Sequence, residues 1–137
     1  MKFFAFLSLF VSLVFTQGSP NVYWNSLATD VTVGVPLVDD PTLIGGRIQI
    51  KVSFNGGKSY EEMGEIFTIE KSDIDDLKNV SVPAGIFEAM PGFSEGGKAQ
   101  FIAKVWDRAG NSVEGAVSDS VLSIDETVPT LVSLKII

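Results

Sequence analysis

The chemistry open to this chain is set by two absences, since its 137 residues include no histidine and no cysteine. A Ser-His-Asp triad, a Cys-His nucleophile and the commonest zinc and copper ligands are excluded in their ordinary forms. Carboxylates and aromatic rings remain. Asp73 with Asp76, or Glu61 with Glu65, are pairs of the type that serve as acid and base in glycoside hydrolysis. Asp107 and Asn111, joined by Asp119 or Asp125, are hard oxygen donors suited to Ca²⁺. Tyr23, Trp24, Tyr60 and Trp106 would stack on sugar rings if they were exposed and coplanar.

Each group also has a plainer reading. Loop carboxylates are ordinarily solvated, and no EF-hand or cadherin-type ligand spacing is present. Asp107-Arg108-Ala109-Gly110-Asn111 is a turn in its own right, with Asp and Asn bonding nearby backbone and Gly110 free to take positive φ. Trp106 is expected to cover the edge of the fold rather than to hold a sugar. The expectation is therefore no catalytic residue, no cofactor-binding residue and no metal site.

The elements that must position these side chains follow from apolar periodicity, which is two far more often than 3.6. Residues 30–37 form a strand with Val31, Val33 and Val35 on one face, and Asp39-Asp40-Pro41 ends it. After a Gly45-Gly46 turn, Arg47-Ile48-Gln49-Ile50-Lys51-Val52-Ser53-Phe54 alternates without a fault, predicting one buried stripe of Ile48, Ile50, Val52 and Phe54. Asn55-Gly56-Gly57 turns this strand into a hairpin whose second arm resumes at Ser59-Tyr60 and runs through Met63 to Ile69.

Residues 72–77, with Ser72 as N-cap, are the one predicted helical piece, of a single turn at most. A short strand at residues 80–82 is followed by an irregular plug containing Ile86, Phe87 and Met90. Residues 98–106 place Ala99, Phe101, Ala103 and Val105 on one face and Trp106 on the other, and residues 112–116 and 118–124 supply closing strands. About seven short strands, each with one apolar face, predict an all-β, two-sheet sandwich.

The N-terminus is of another kind. Lys2 precedes an apolar run over residues 3–15, shorter than the roughly 20 residues that span a bilayer but matched to a signal-peptide h-region. Thr16-Gln17-Gly18 offers small residues for cleavage, so residues 1–18 are expected to be a signal peptide and the mature chain to start near Ser19. The formal charge of −7 becomes −8 once Lys2 is removed, a surface that repels nucleic acid and anionic lipid. An exported chain without disulfides must be held by its core, which favours a bacterial source.

The C-terminal third resembles a known family. Val105-Trp106-Asp107-Arg108-Ala109-Gly110-Asn111-Ser112 is similar to the D-x-A-G-N turn, and residues 122–131 to the I-D-x-T-x-P-T-L linker, of bacterial immunoglobulin-like and fibronectin-III-like repeats in large secreted or cell-surface proteins. Residues 72–93 depart from the simplest repeats by an acidic stretch and a Pro-rich plug. The resemblance implies an immunoglobulin-like sandwich over residues 19–126, and over residues 127–137 a linker and the first strand of a next module. Separately, Ser53-Phe54-Asn55-Gly56-Gly57-Lys58-Ser59-Tyr60 resembles the Asp-box hairpin of sialidases, with Asn55 for the Asp and Tyr60 for the Trp, in one copy only. It is read as a hairpin turn.

The expected function is a non-catalytic, secreted or surface-borne structural or adhesive module. Its partners would be neighbouring modules of the same chain and an extracellular protein or glycan, with no nucleic acid and no membrane span. The alternative is a carbohydrate- or calcium-binding accessory module attached to an exported enzyme. Exposed, coplanar Trp24, Tyr60 and Trp106 would favour the alternative, and burial of those rings the first reading.

Overall fold

A computed structural model describes residues 12–14, 22–115, 118 and 120–137. The chain is all-β, with two sheets packed around one core. Most of residues 1–18 lie outside the described residues, but β1, Ser12–Val14, pairs antiparallel with the next sheet strand. Next come β2, Tyr23–Trp24, and β3, Asp30–Leu37. β4, Arg47–Ser53, and β5, Glu61–Thr68, form a hairpin. Following them are β6, Asp76–Pro83, a one-turn helix α1, Ala84–Glu88, and β7, Lys98–Trp106. β8, Ser112–Glu114, and β9, Leu122–Ile124, close the fold. One sheet has the order β1-β3-β6 and the other β2-β9-β7-β4-β5, with β8 also on β7.

The period-two stripes dictate this layering. Val31, Val33, Val35, Ile48, Ile50, Val52, Ala99, Phe101, Ala103 and Val105 are all buried in the shared core, as expected from their alternation. Phe54 falls one residue beyond β4 and only packs against the core. Gly46 is required where the chain enters β4: a Cβ there would sit 2.0 Å from the Trp106 carbonyl oxygen, so only glycine admits the approach of β4 to β7.

Three expectations need correction. Residues 72–77 are not a capped helical piece. A 3-10 turn covers Lys71–Asp73, closed reciprocally by the Glu70 and Asp73 side chains, so Ser72 lies inside the turn. The strand set at residues 80–82 in fact begins at Asp76, because β6 pairs with β3 through eight consecutive residue pairs, and ladder formation overrides local turn preference. The α-helix sits instead in the expected irregular plug, where Phe87 is fully buried and Ile86 exposed. Finally, Gln49 is buried rather than outward-facing. Between the pairs Ile48 with Phe67 and Ile50 with Met63, β5 bulges away, and Gln49 Nε2 donates to the carbonyls of Ile50, Met63 and Gly64 at 3.2–3.3 Å. The amide satisfies backbone acceptors that the bulge strips of strand partners.

Phe87 joins the two layers. Carried by α1 at the end of β6, it meets Trp24 at 4.8 Å, Phe93 at 5.3 Å, and Phe54 and Phe101 at 5.9 Å between ring centroids. Truncating it leaves a cavity among four rings. Phe87→Ala should therefore lower stability by about 3–5 kcal/mol in urea denaturation, and a loss under about 1 kcal/mol would show that the plug is peripheral.

Candidate functional site

The sequence-nominated aromatic rings do not converge. Trp24 is fully buried, in T-shaped contact with Phe87, and its Nε1 donates to Glu88 Oε2 at 3.3 Å. Tyr23 is exposed on the same short strand. Tyr60 is half-buried beside the β4–β5 hairpin turn, its hydroxyl without a hydrogen-bond partner among the described residues. Trp106 lies at the other end of β4, opposite Arg47, about 20 Å away along the strand. Two cations attend its ring: Arg47 Cζ is 4.8 Å and Lys104 Nζ 4.9 Å from the centroid. No flat aromatic platform results from this arrangement.

The nominated carboxylates are likewise dispersed. Asp73 bonds the Glu70 N–H at 2.8 Å and pairs with Lys78 at 3.2 Å, while Asp76 accepts from its neighbour Leu77 N–H. Glu61 and Glu65 line separate depressions. Glu65 borders a groove of about 300 Å³ with Phe67, Val82, Pro83 and Ile86, and Glu61 borders one of about 260 Å³ with Phe54, Asn55 and Gly92. A carboxyl pair cannot act on one glycosidic bond from two different grooves.

The Asp107 turn is closed by its own residues. Asp107 Oδ1 accepts from the N–H groups of Ala109 at 3.0 Å and Asn111 at 2.9 Å, and Oδ2 from Asn111 Nδ2 at 3.0 Å. These donors, the Asn111 side chain foremost, hold the Asp107 carboxyl below the usual aspartate range. Asp125 follows β9, whose residues pair with the start of β7, so Asp107 and Asp125 lie beyond opposite ends of that strand, which is itself about 27 Å long. Asp119 lies outside the described residues. Among the described residues no group of three or more potential ligands is gathered for a metal.

Around the β4–β5 turn, side chains again replace backbone partners. Asn55 Oδ1 accepts from Ser53 Oγ at 2.8 Å and from the Ser59 N–H at 3.0 Å, and Asn55 Nδ2 donates to Ser59 Oγ at 2.7 Å. Gly56 and Gly57 take positive φ of 74° and 88°. The resemblance to an Asp box is thus a resemblance of turns.

One constellation was not legible beforehand, because its members are far apart in sequence. Glu95 accepts from the Glu126 N–H at 2.8 Å and from the Thr127 hydroxyl, fastening the segment after β9 to the loop before β7. These donors, Thr127 first, keep its carboxyl below the usual glutamate range. Glu126 is pushed above that range, chiefly by a side-chain hydrogen bond with Glu88 and then by partial burial and the charges of Glu88 and Glu95. The segment after β9 is therefore anchored by an acidic clasp. Only the Glu95-Gly96-Gly97 turn and the Asp125-Glu126-Thr127 motif hinted at it, and neither indicates the other.

No family model matches the chain, and no curated protein or solved structure is significantly similar to it. No helix of the described residues is long and apolar enough to cross a membrane.

Both perturbed carboxyls give a sign to pH dependence. Asp107 is depressed in the folded state, so its stabilisation is present above the unfolded aspartate pKa of about 3.9 and is lost as pH falls through the lower folded value. Asp107→Ala should destabilise the protein by about 1–3 kcal/mol at pH 7 and much less at pH 2–3; an equal loss at both pH values would contradict the assignment. Glu126 is raised, so its favourable contribution is present below the unfolded glutamate pKa and disappears as pH rises through the folded value. Glu126→Gln should thus raise the melting temperature at pH 7 relative to the native chain and leave it nearly unchanged at pH 3–4.

Proposed function

We propose that this chain is an exported, non-catalytic immunoglobulin-like module that serves as a structural or adhesive unit of a secreted or surface protein. The observation that carries the reading is the strand arrangement. β3 and β6 lie in one sheet and β7, β4 and β5 in the other, while the short β2 pairs in parallel with the last strand, β9. Chain crossovers between two packed sheets support an immunoglobulin-like, Greek-key sandwich.

The use made of the polar and aromatic residues supports the non-catalytic part. Trp24 is taken up by the core, the carboxylate pairs fall in separate grooves, and the Asp107 oxygens are occupied by turn donors. Residues 127–137 extend from the acidic clasp with Val132, Leu134 and Ile136 exposed, as an adhesive unit's contact segment would be. The lysine-led apolar N-terminus supports export, and the acidic composition an extracellular setting without nucleic acid.

Expression of the full coding sequence in a secreting bacterium, followed by mass spectrometry of the exported product, tests the reading. The expected product begins near Ser19. Retention of the whole chain in the cytoplasm, with residues 1–18 intact, would overturn it. On the exported protein, melting temperatures in millimolar Ca²⁺ and in chelator should coincide; a rise of several degrees with Ca²⁺ would favour a calcium-binding accessory module instead.

A further inference from the structure

The smaller sheet includes a strand that export would remove. Its order is β1-β3-β6, and β1 pairs Ser12, Leu13 and Val14 with Gly34, Val33 and Thr32. Cleavage near Ser19 takes β1 away and leaves β3 and β6 as two strands packed on the larger sheet by their buried valines, with one edge of β3 open. The vacated edge of β3 then presents unpaired N–H and C=O groups. It carries no lysine and its ladder with β6 has no bulge, so apart from Asp30 and Pro36 near its two ends it lacks the usual guards against a further strand.

The same chain holds an irregular, exposed segment with the alternation of a strand. Val132, Leu134 and Ile136 are 83%, 85% and 98% exposed and alternate with Ser133 and Lys135. We propose that residues 132–137 of one molecule add to the vacated β3 edge of a second copy of this chain, in the place that β1 occupies before processing. The inference rests on the export reading above, because processing is what clears the edge.

The alternation selects a register. Run antiparallel to β3, Val132, Leu134 and Ile136 stand opposite Val35, Val33 and Val31, which form the buried stripe of that strand. Directly opposed residues share a face, so the three apolar side chains extend the core while Ser133 and Lys135 face outward beside Gly34 and Thr32. Lys135 then lies diagonal to Asp30, an opposite charge.

Reach makes the addition intermolecular. β9 runs parallel to β2, with Ile124 level with Trp24, so the linker leaves the sandwich at the end where β3 begins. In this register Val132 must reach Val35, about 17 Å further along and in the other sheet, and the chain must turn back before it pairs. From Thr127, held by Glu95, the five steps to Val132 span at most about 18 Å when fully extended, which leaves no residue for the crossing or the turn. The segment therefore cannot fill its own edge in this direction. Each copy offers one edge and one strand, so the contact either closes into a ring or continues from copy to copy.

The absence of native cysteine allows a direct test. Two exported proteins are prepared from the full coding sequence, one carrying Thr32→Cys and the other Lys135→Cys, and mixed under mild oxidation. The expected result is an intermolecular disulfide between the two introduced thiols. Its yield should be about tenfold above that of Thr32→Cys with Ser133→Cys, whose positions are out of register by two residues and stand too far apart to bridge. The native exported chain should show concentration-dependent assembly by light scattering, and Leu134→Asp, altering an exposed side chain, should be monomeric. If the exported chain begins near Ser19 yet stays monomeric and fails to cross-link, the inference falls and the export reading stands. If the exported chain retains residues 1–18, both fall together.

Discussion

The burial of Phe87 is the contact on which the rest of the structure depends. Its ring is the point where the helix following the smaller sheet meets Trp24 of β2, Phe101 of β7 and the two loop rings Phe54 and Phe93. A chain with no disulfide has only such packing to hold two sheets together. Against a net stability of about 5–15 kcal/mol for a domain, one fully buried aromatic ring is a large fraction of the whole. The placement of Trp24 follows from it: the indole is drawn into the core, where its N–H finds Glu88, and is lost to any surface role.

That placement also organises the acidic clasp. Glu88, at the end of the Phe87 helix, is tied to Trp24 on one side and to Glu126 on the other, and Glu95 grips Glu126 and Thr127 of the segment after β9. The point where the chain leaves the sandwich is therefore coupled through two residues of one short helix to the aromatic core. An acidic surface gathers repulsion at this point, and the hydrogen bonds that Thr127 and the Glu126 N–H make to Glu95 offset it.

The smaller sheet shows the complementary constraint. Its buried valines are shared with the core, and its third strand comes from the apolar N-terminal run. The exposed alternating residues 132–137 have the apolar spacing of a strand that fits the same edge.

Period-two alternation by itself determined the strands Asp30–Leu37, Arg47–Ser53 and Lys98–Trp106 and the faces they bury, because a strand side chain's direction follows from its position in the chain. Turn chemistry was equally local: Asn55-Gly56-Gly57 and Asp107 to Asn111 close on their own side chains. Three features had no local cause. Gln49 is buried by a bulge in a partner strand, β6 begins at Asp76 because β3 offers it a full ladder, and Phe87 is buried by three rings distant in the chain, Trp24, Phe54 and Phe101, with Phe93 nearby. The dispersal of the carboxylates and aromatics was decided in the same way. Which residues share a site depends on strand order across two sheets, a relation among segments tens of residues apart that no local spacing encodes.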